Sequence, residues 1–184
     1  MAKSIEEKIE DLCKKQLNSV NYYTKTDFIN EEIENALRKY PSKKGGKGAN
    51  YPDIKLFIET KELKRIPVMI EVKGTKGDFI KVNSNNEIDN FTKDGSLNFN
   101  NISKYAVNGS IHYGNAILNE TKSYNEVISI GVNGYEEQGS LTIEIGAYYI
   151  SKDNYNIPKK IDDYGDLSFL LNENIDTLLK QIEN

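Results

Sequence analysis

Apolar residues change their period along this chain, and each change marks an element. Ile5, Ile9, Leu12 and Leu17 fall at helical spacing behind a Ser4-to-Glu7 capping box, which predicts a helix over residues 5–18. Asn18 to Asn21 ends it. A second stripe, Ile29, Ile33, Ala36, Leu37 and Tyr40, predicts a helix over 27–40 with Asp27 as its N-cap and Pro41 as its stop. The period then drops to two. Residues 54–58 (Ile-Lys-Leu-Phe-Ile) and 68–72 (Val-Met-Ile-Glu-Val) are rich in strand formers, and the charged stretch Thr60 to Arg65 between them reads as a turn. Two antiparallel neighbours follow. Residues 74–100 are polar and Asn-rich with little period, a long loop or loose hairpin of the length that often forms a flap over a substrate. A helix over 101–118 follows despite Gly109 and Gly114, with Ala106, Gly109, Tyr113 and Ile117 as a close-packing face. Strands at 126–132 and 140–150, joined through Asn133-Gly134 and a short acidic loop, precede a terminal amphipathic helix carrying Ile175, Leu178, Leu179 and Ile182.

This succession predicts an α/β (α+β) fold with a central mixed sheet of four or five strands flanked by helices. No strand is legible between Tyr40 and Tyr51, which leaves the strand order open. At 184 residues the chain has room for a single domain, with 1–20 as an N-terminal helix and 153–184 as a C-terminal extension or connector. A mean hydropathy of -0.62, no apolar run of membrane-spanning length and no signal-peptide apolar core at the start predict a cytoplasmic protein without a membrane partner. The single cysteine, Cys13, excludes an internal disulfide and a Cys-based zinc site, and its helical spacing with Ile9 and Leu17 predicts a packing role. The single histidine, His112, excludes a multi-His metal centre, and no nucleophile elbow accompanies it to make a hydrolase triad.

The chemistry concentrates between Pro52 and Lys73. Side chains alternate along a strand, so Val68, Ile70 and Val72 share one face while Met69, Glu71 and Lys73 share the other. One face is then core and the other carries charge. Ionised groups inside an apolar strand are costly unless they are paired or bind a metal. With Asp53 at the start of the adjacent strand, its carboxylate and that of Glu71 converge at one end of the hairpin, with Lys73 two residues on. Two hard oxygen ligands suit Mg²⁺.

Pro52-Asp53 followed by Glu71-Val72-Lys73 resembles the signature of the PD-(D/E)XK nuclease superfamily. The flanking text, Gly45-Gly46-Lys47-Gly48-Ala49-Asn50-Tyr51 and later Tyr105-Ala106-Val107-Asn108-Gly109 with His112-Tyr113, resembles the N-terminal nuclease domains of type IIG restriction-modification enzymes over roughly residues 25 to 135. The resemblance implies a restriction-endonuclease-like fold and Mg²⁺-dependent hydrolysis of phosphodiester bonds in double-stranded DNA, with Mn²⁺ as a substitute. It implies Asp53 and Glu71 as metal ligands, the Val72 carbonyl as a further ligand, and Lys73 positioning or deprotonating the attacking water. An acidic residue on the first core helix often joins the metal in that superfamily, which selects Glu32 here, with Glu34 close behind. The helix over 101–118 packs beside the catalytic hairpin in the resembled domains, which puts the stripe Lys104, Asn108 and His112 within reach of substrate.

Charge adds a location. The net charge is -4, yet Lys43 to Lys81 holds ten basic residues against five acidic ones, which places any phosphate-seeking surface near the proposed site. The glycine-rich loop before Pro52 carries Lys43, Lys44 and Lys47, and with Lys76, Asn108 and His112 these are the expected DNA contacts. It is not a nucleotide-triphosphate loop, because Gly48 follows Lys47 where Ser or Thr would be needed. Three readings share these residues: the cleavage module of a restriction-modification enzyme, with fused or associated methyltransferase and specificity regions and a transient dimer; a non-catalytic nuclease-like DNA-binding module; and a junction-resolving nuclease.

Overall fold

The structure, a computed structural model, describes residues 2–184. Helix α1 (Ile5–Gln16) starts where the capping box places it: the Ser4 hydroxyl accepts from the Glu7 amide at 3.1 Å and donates to the Glu7 carboxylate at 3.2 Å. Helix α2 (Glu31–Lys39) starts later than expected. Its cap is Asn30, whose side-chain oxygen accepts from the Ile33 amide at 2.8 Å, while Asp27 turns back to accept from the Thr24 amide at 2.8 Å. Both residues are good caps, and Asp27 is engaged in closing a turn. The stripe from Ile29 to Tyr40 is buried as predicted.

Six strands form one sheet in the order β1 (Tyr22–Thr24), β2 (Ile54–Glu59), β3 (Arg65–Lys73), β4 (Glu126–Glu137), β5 (Ser140–Ser151), β6 (Lys159–Tyr164). Every neighbouring pair is antiparallel except β3 and β4, whose parallel pairing requires a crossover. The sheet has more than the four or five strands expected, and both additional strands are at its edges. Strand β1 is three residues long, too short to show an alternation, and it precedes α2 rather than following Tyr40. Strand β6, Lys-Lys-Ile-Asp-Asp-Tyr, reads as a solvated stretch because an edge strand needs little apolar surface. The β4–β5 turn is Gln138-Gly139, both with positive φ (53° and 79°), as a tight two-residue hairpin demands. Asn133-Gly134 instead lies inside β4, where Gly134 leaves the space that Ile9 of α1 fills.

The crossover is two helices rather than one, α3 (Phe99–Lys104) and α4 (Ala106–Glu120), because Tyr105 between them is extended (φ -105°, ψ 137°). Helix α4 is buried on every side from Ala106 to Leu118, and small residues make this possible. A side chain at Gly131 would collide with the Val107 backbone, and a Cβ at Gly114 would lie 2.6 Å from the Ser129 hydroxyl. The sheet is therefore covered twice. Helix α1 and the terminal helix α5 (Ile175–Glu183) bury Ile9, Cys13, Leu17 and Leu178 on one face against Val68, Ile70, Ile130 and Val132. On the other face Ile33, Leu37, Ile111 and Ile117 from α2 and α4 meet Met69, Val127 and Ile150. Each such aliphatic side chain contributes about 1.5–3 kcal/mol by leaving water. Consequently β3 has no charged solvent face: Met69 is as buried as Val68, and Glu71 lies beneath α4.

Residues 74–100, expected as a loop or flap, are tied to the fold at several points. Short bridges pair Val82 with Ile88 and Phe91 with Leu97. The Asn108 amide oxygen accepts from the Lys81 backbone amide at 2.9 Å, its nitrogen donates to the Lys81 carbonyl at 3.0 Å, and Asn90 closes the network.

Candidate active site

The β2–β3 register pairs Ile54 with Ile70, so Asp53 enters β2 beside Glu71 where β3 approaches its end. Asp53 is 7% exposed and Glu71 2%. The Asp53 carboxylate accepts from the Val72 amide at 2.7 Å and lies beside the Glu71 carboxyl. Burial first, and then the Glu71 charge, push the Asp53 carboxyl up to about 7. At neutral pH the Asp53 carboxyl thus keeps its proton in part. Tyr113 of α4, fully buried, donates to Glu71 Oε2 at 3.1 Å, and Gly109 allows α4 to pass this close, since a Cβ there would lie 3.2 Å from the same oxygen.

Cations surround the pair. Lys43 of the glycine loop forms an ion pair with Glu71, and Lys25 stands 3.4 Å from Asp53 Oδ1 and 3.8 Å from Glu10. Lys73, on the same strand face as Glu71, is 4.0 Å from Glu71 Oε2 and donates to the Ser103 carbonyl at 2.9 Å, which fixes its ammonium at the cleft wall. The cleft encloses about 340 Å³, and Glu6, Lys44, Tyr51 and Val72 are also among its lining residues.

Glu6 is the residue that sequence reasoning missed. It belongs to the first turn of α1, which passes so near the end of β3 that Gly74 has no room for a side chain beside the Glu6 backbone. Burial and then the Asp53 charge raise its carboxyl. The signal for it is the acidic first turn behind Ser4, Glu6 and Glu7, whereas the acids of the second helix point elsewhere. There, Glu32 accepts from the Lys122 and Ser123 amides at 3.2 and 3.1 Å, and Glu34 is bound to Lys55 at 2.8 Å, so neither faces Asp53. Lys25 and Tyr113 likewise line the cleft without a sequence motif to mark them.

The expected DNA contacts divide. Lys43 and Lys44 line the cleft, and Lys47 lies further along the same loop beside α2. Lys76 is away from it, paired with Glu137 with its ammonium 5.6 Å from the Tyr135 ring. Asn108 and His112 are both 0% exposed, so neither can meet DNA. Nε2 of His112 donates to the Pro41 carbonyl at 2.7 Å, and burial lowers the imidazole to about 4, which leaves it neutral at physiological pH. The break at Tyr105 removes Lys104 from their stripe. The basic count from Lys43 to Lys81 also overstated the site, because the hairpin carries Lys61, Lys64 and Arg65 to its far end, against Asp176, Glu126 and the Phe57 ring.

Among the described residues no three His, Cys, Asp or Glu side chains cluster closely enough to hold an ion by themselves. The donor set nevertheless fits a hard divalent cation. Two buried carboxylates lie side by side and draw three lysines, as expected where positive charge is wanted, and Mg²⁺ normally keeps several waters and takes only one or two carboxylates.

A mixed sheet flanked by helices, with an Asp and a Glu-x-Lys meeting at the end of its central hairpin, defines a nuclease domain of the PD-(D/E)XK type with the restriction-endonuclease-like fold. The chain belongs to the VRR-NUC domain family, whose model matches residues 2–99 and so takes in Glu6, Asp53, Glu71 and Lys73. It is similar to the type II restriction enzyme and methyltransferase RM.BcgI of Heyndrickxia coagulans, 29% identical over 161 residues, which cover 86% of this chain and 22% of that protein. No solved structure matches it. No described helix is long and apolar enough to cross a membrane.

Proposed function

We propose that this chain is an Mg²⁺-dependent endonuclease domain that hydrolyses phosphodiester bonds in double-stranded DNA, with Mn²⁺ as a substitute metal. The observation that supports it best is the buried convergence of Asp53 and Glu71 at the end of the hairpin, with Lys73 beside them and a cation-rimmed cleft in front. Asp53, Glu71 and the Val72 carbonyl would hold the metal, with Glu6 of α1 rather than Glu32 as the further acid in the cleft. When bound, the ion supplies Lewis acidity and a water of lowered pKa. Tyr113 orients the Glu71 carboxylate through its hydroxyl. The Lys73 ammonium, held by the Ser103 carbonyl, positions the attacking water and offsets the negative charge that develops on the phosphoryl oxygens. Lys43 and Lys44 bind flanking phosphates.

RM.BcgI carries restriction and methyltransferase functions in its name, which favours a restriction-modification setting with methyltransferase and specificity regions in the same protein or assembly. In that setting the chain is one cytoplasmic nuclease domain, in which 153–184 completes the sheet edge and core, and cleavage of both strands calls for a transient dimer. Incubation with linear, supercoiled and four-way-junction DNA, with Mg²⁺ and with chelator, tests the reading. Metal-dependent cutting of linear and supercoiled duplex is the expected result. Cutting of the junction alone would favour a resolving nuclease, and binding without cutting would favour a non-catalytic module.

A further inference from the structure

A second groove lies next to the catalytic cleft, formed by the last turn of α2 and the glycine loop. It encloses about 330 Å³, its charged lining residues are Arg38, Lys39 and Lys47, and no acidic side chain lines it. All three cations are exposed, and among the described residues none pairs with a carboxylate. Elsewhere on the surface many lysines have acidic partners: Lys8 has Glu136, Lys61 has Asp176, Lys64 has Glu126, Lys76 has Glu137 and Lys160 has Asp163. In a chain of net charge -4, residues 38–47 hold five cations and no acid.

The carbonyl end of α2 accounts for Arg38 and Lys39 only in part, since Lys47 is not on the helix and is brought there by a loop. That loop is held firmly. The Asn50 side-chain nitrogen donates to the Leu37, Tyr40 and Pro41 carbonyls at 3.1, 3.3 and 3.1 Å, and the Asn50 amide returns to Leu37 at 2.9 Å. His112 takes the Pro41 carbonyl from below, and the Phe99 ring packs against Gly45. Holding like charges together in a fixed loop opposes their repulsion, and the arrangement is favourable when an anion fills the groove. The same loop continues through Lys44 and Lys43 into the catalytic cleft.

We propose that the groove of Arg38, Lys39 and Lys47 is a backbone track, binding without sequence preference the phosphates of a DNA strand that flank the bond placed at Asp53 and Glu71. This rests on the nuclease reading above.

The test uses the full chain and a fluorescently labelled duplex in chelator, titrated at several salt concentrations, for the parent, Arg38→Ala/Lys39→Ala and the far-end control Lys61→Ala/Lys64→Ala. Each lost phosphate contact lowers the slope of log affinity against log salt by about one. The groove variant should therefore bind more weakly with a slope shallower by about two, the control should keep the parent slope, and calorimetric Mg²⁺ binding should persist in both as a check on the fold. An unchanged slope in the groove variant, or an equal loss in the control, overturns the track while leaving the nuclease reading in place. A parent that neither binds nor cuts duplex DNA overturns both.

Discussion

Replacing Asp53 with Asn tests the site without relying on cleavage. Asn keeps the shape and can still accept from the Val72 amide, but it cannot ionise. The Asp53 carboxyl is raised from 3.8 to about 7. The folded protein therefore holds this proton over a range where the unfolded chain has released it, and stability falls as pH rises between those values, at about 1.4 kcal/mol per pH unit. From pH 5 to pH 8 the Asp53 contribution to the metal-free fold should fall by about 3 kcal/mol. Urea denaturation in chelator at the two pH values should show this loss in the parent and not in Asp53→Asn, whose remaining pH dependence reports every other group. Adding Mg²⁺ at pH 8 should restore stability to the parent, since a ligand of the folded state alone stabilises it by mass action, and should restore little to the variant. Equal pH dependence in the two proteins would refute the coupling of Asp53 to Glu71 and the metal site built on it.

Lys73→Ala should leave the carboxylates in place, so calorimetric Mg²⁺ or Mn²⁺ binding survives while plasmid nicking slows by roughly two orders of magnitude or more; parent-like nicking would remove Lys73 from the mechanism. Glu6→Gln should weaken metal binding in the same titration, whereas Glu32→Gln, whose carboxylate caps the Lys122 and Ser123 amides, should not. Gly131→Ala forces α4 off the sheet at Val107 and should cost about 1–3 kcal/mol or more in denaturant unfolding; a neutral result would mean that α4 can shift without strain.

The local signals in the chain were sufficient for the elements whose pattern is carried by neighbours in sequence. Ser4 and Glu7 cap α1, the alternation at 54–58 and 68–72 makes the β2–β3 hairpin, and that hairpin alone brings Asp53 to Glu71 with Lys73 on the same face. What faces these residues is a property of elements far away in sequence, and there the tertiary structure decided. Glu6 and Glu32 are both acids in the first turn of a helix; only the packing of α1 beside Gly74 puts Glu6 in the cleft, while the chain near Lys122 claims Glu32. Asn108 and His112 read as available polar groups until the glycines of α4 and β4 press that helix onto the sheet and surround them. Charge obeys the same rule. A hairpin reverses direction, so Lys43 and Lys61 are separated by the length of a strand although they lie in one basic stretch, while Arg38, outside that stretch, joins Lys47 across the loop. Periodicity records which way each side chain points from its own backbone; burial, pairing and pKa depend on what arrives from the opposite side, and no local pattern encodes that.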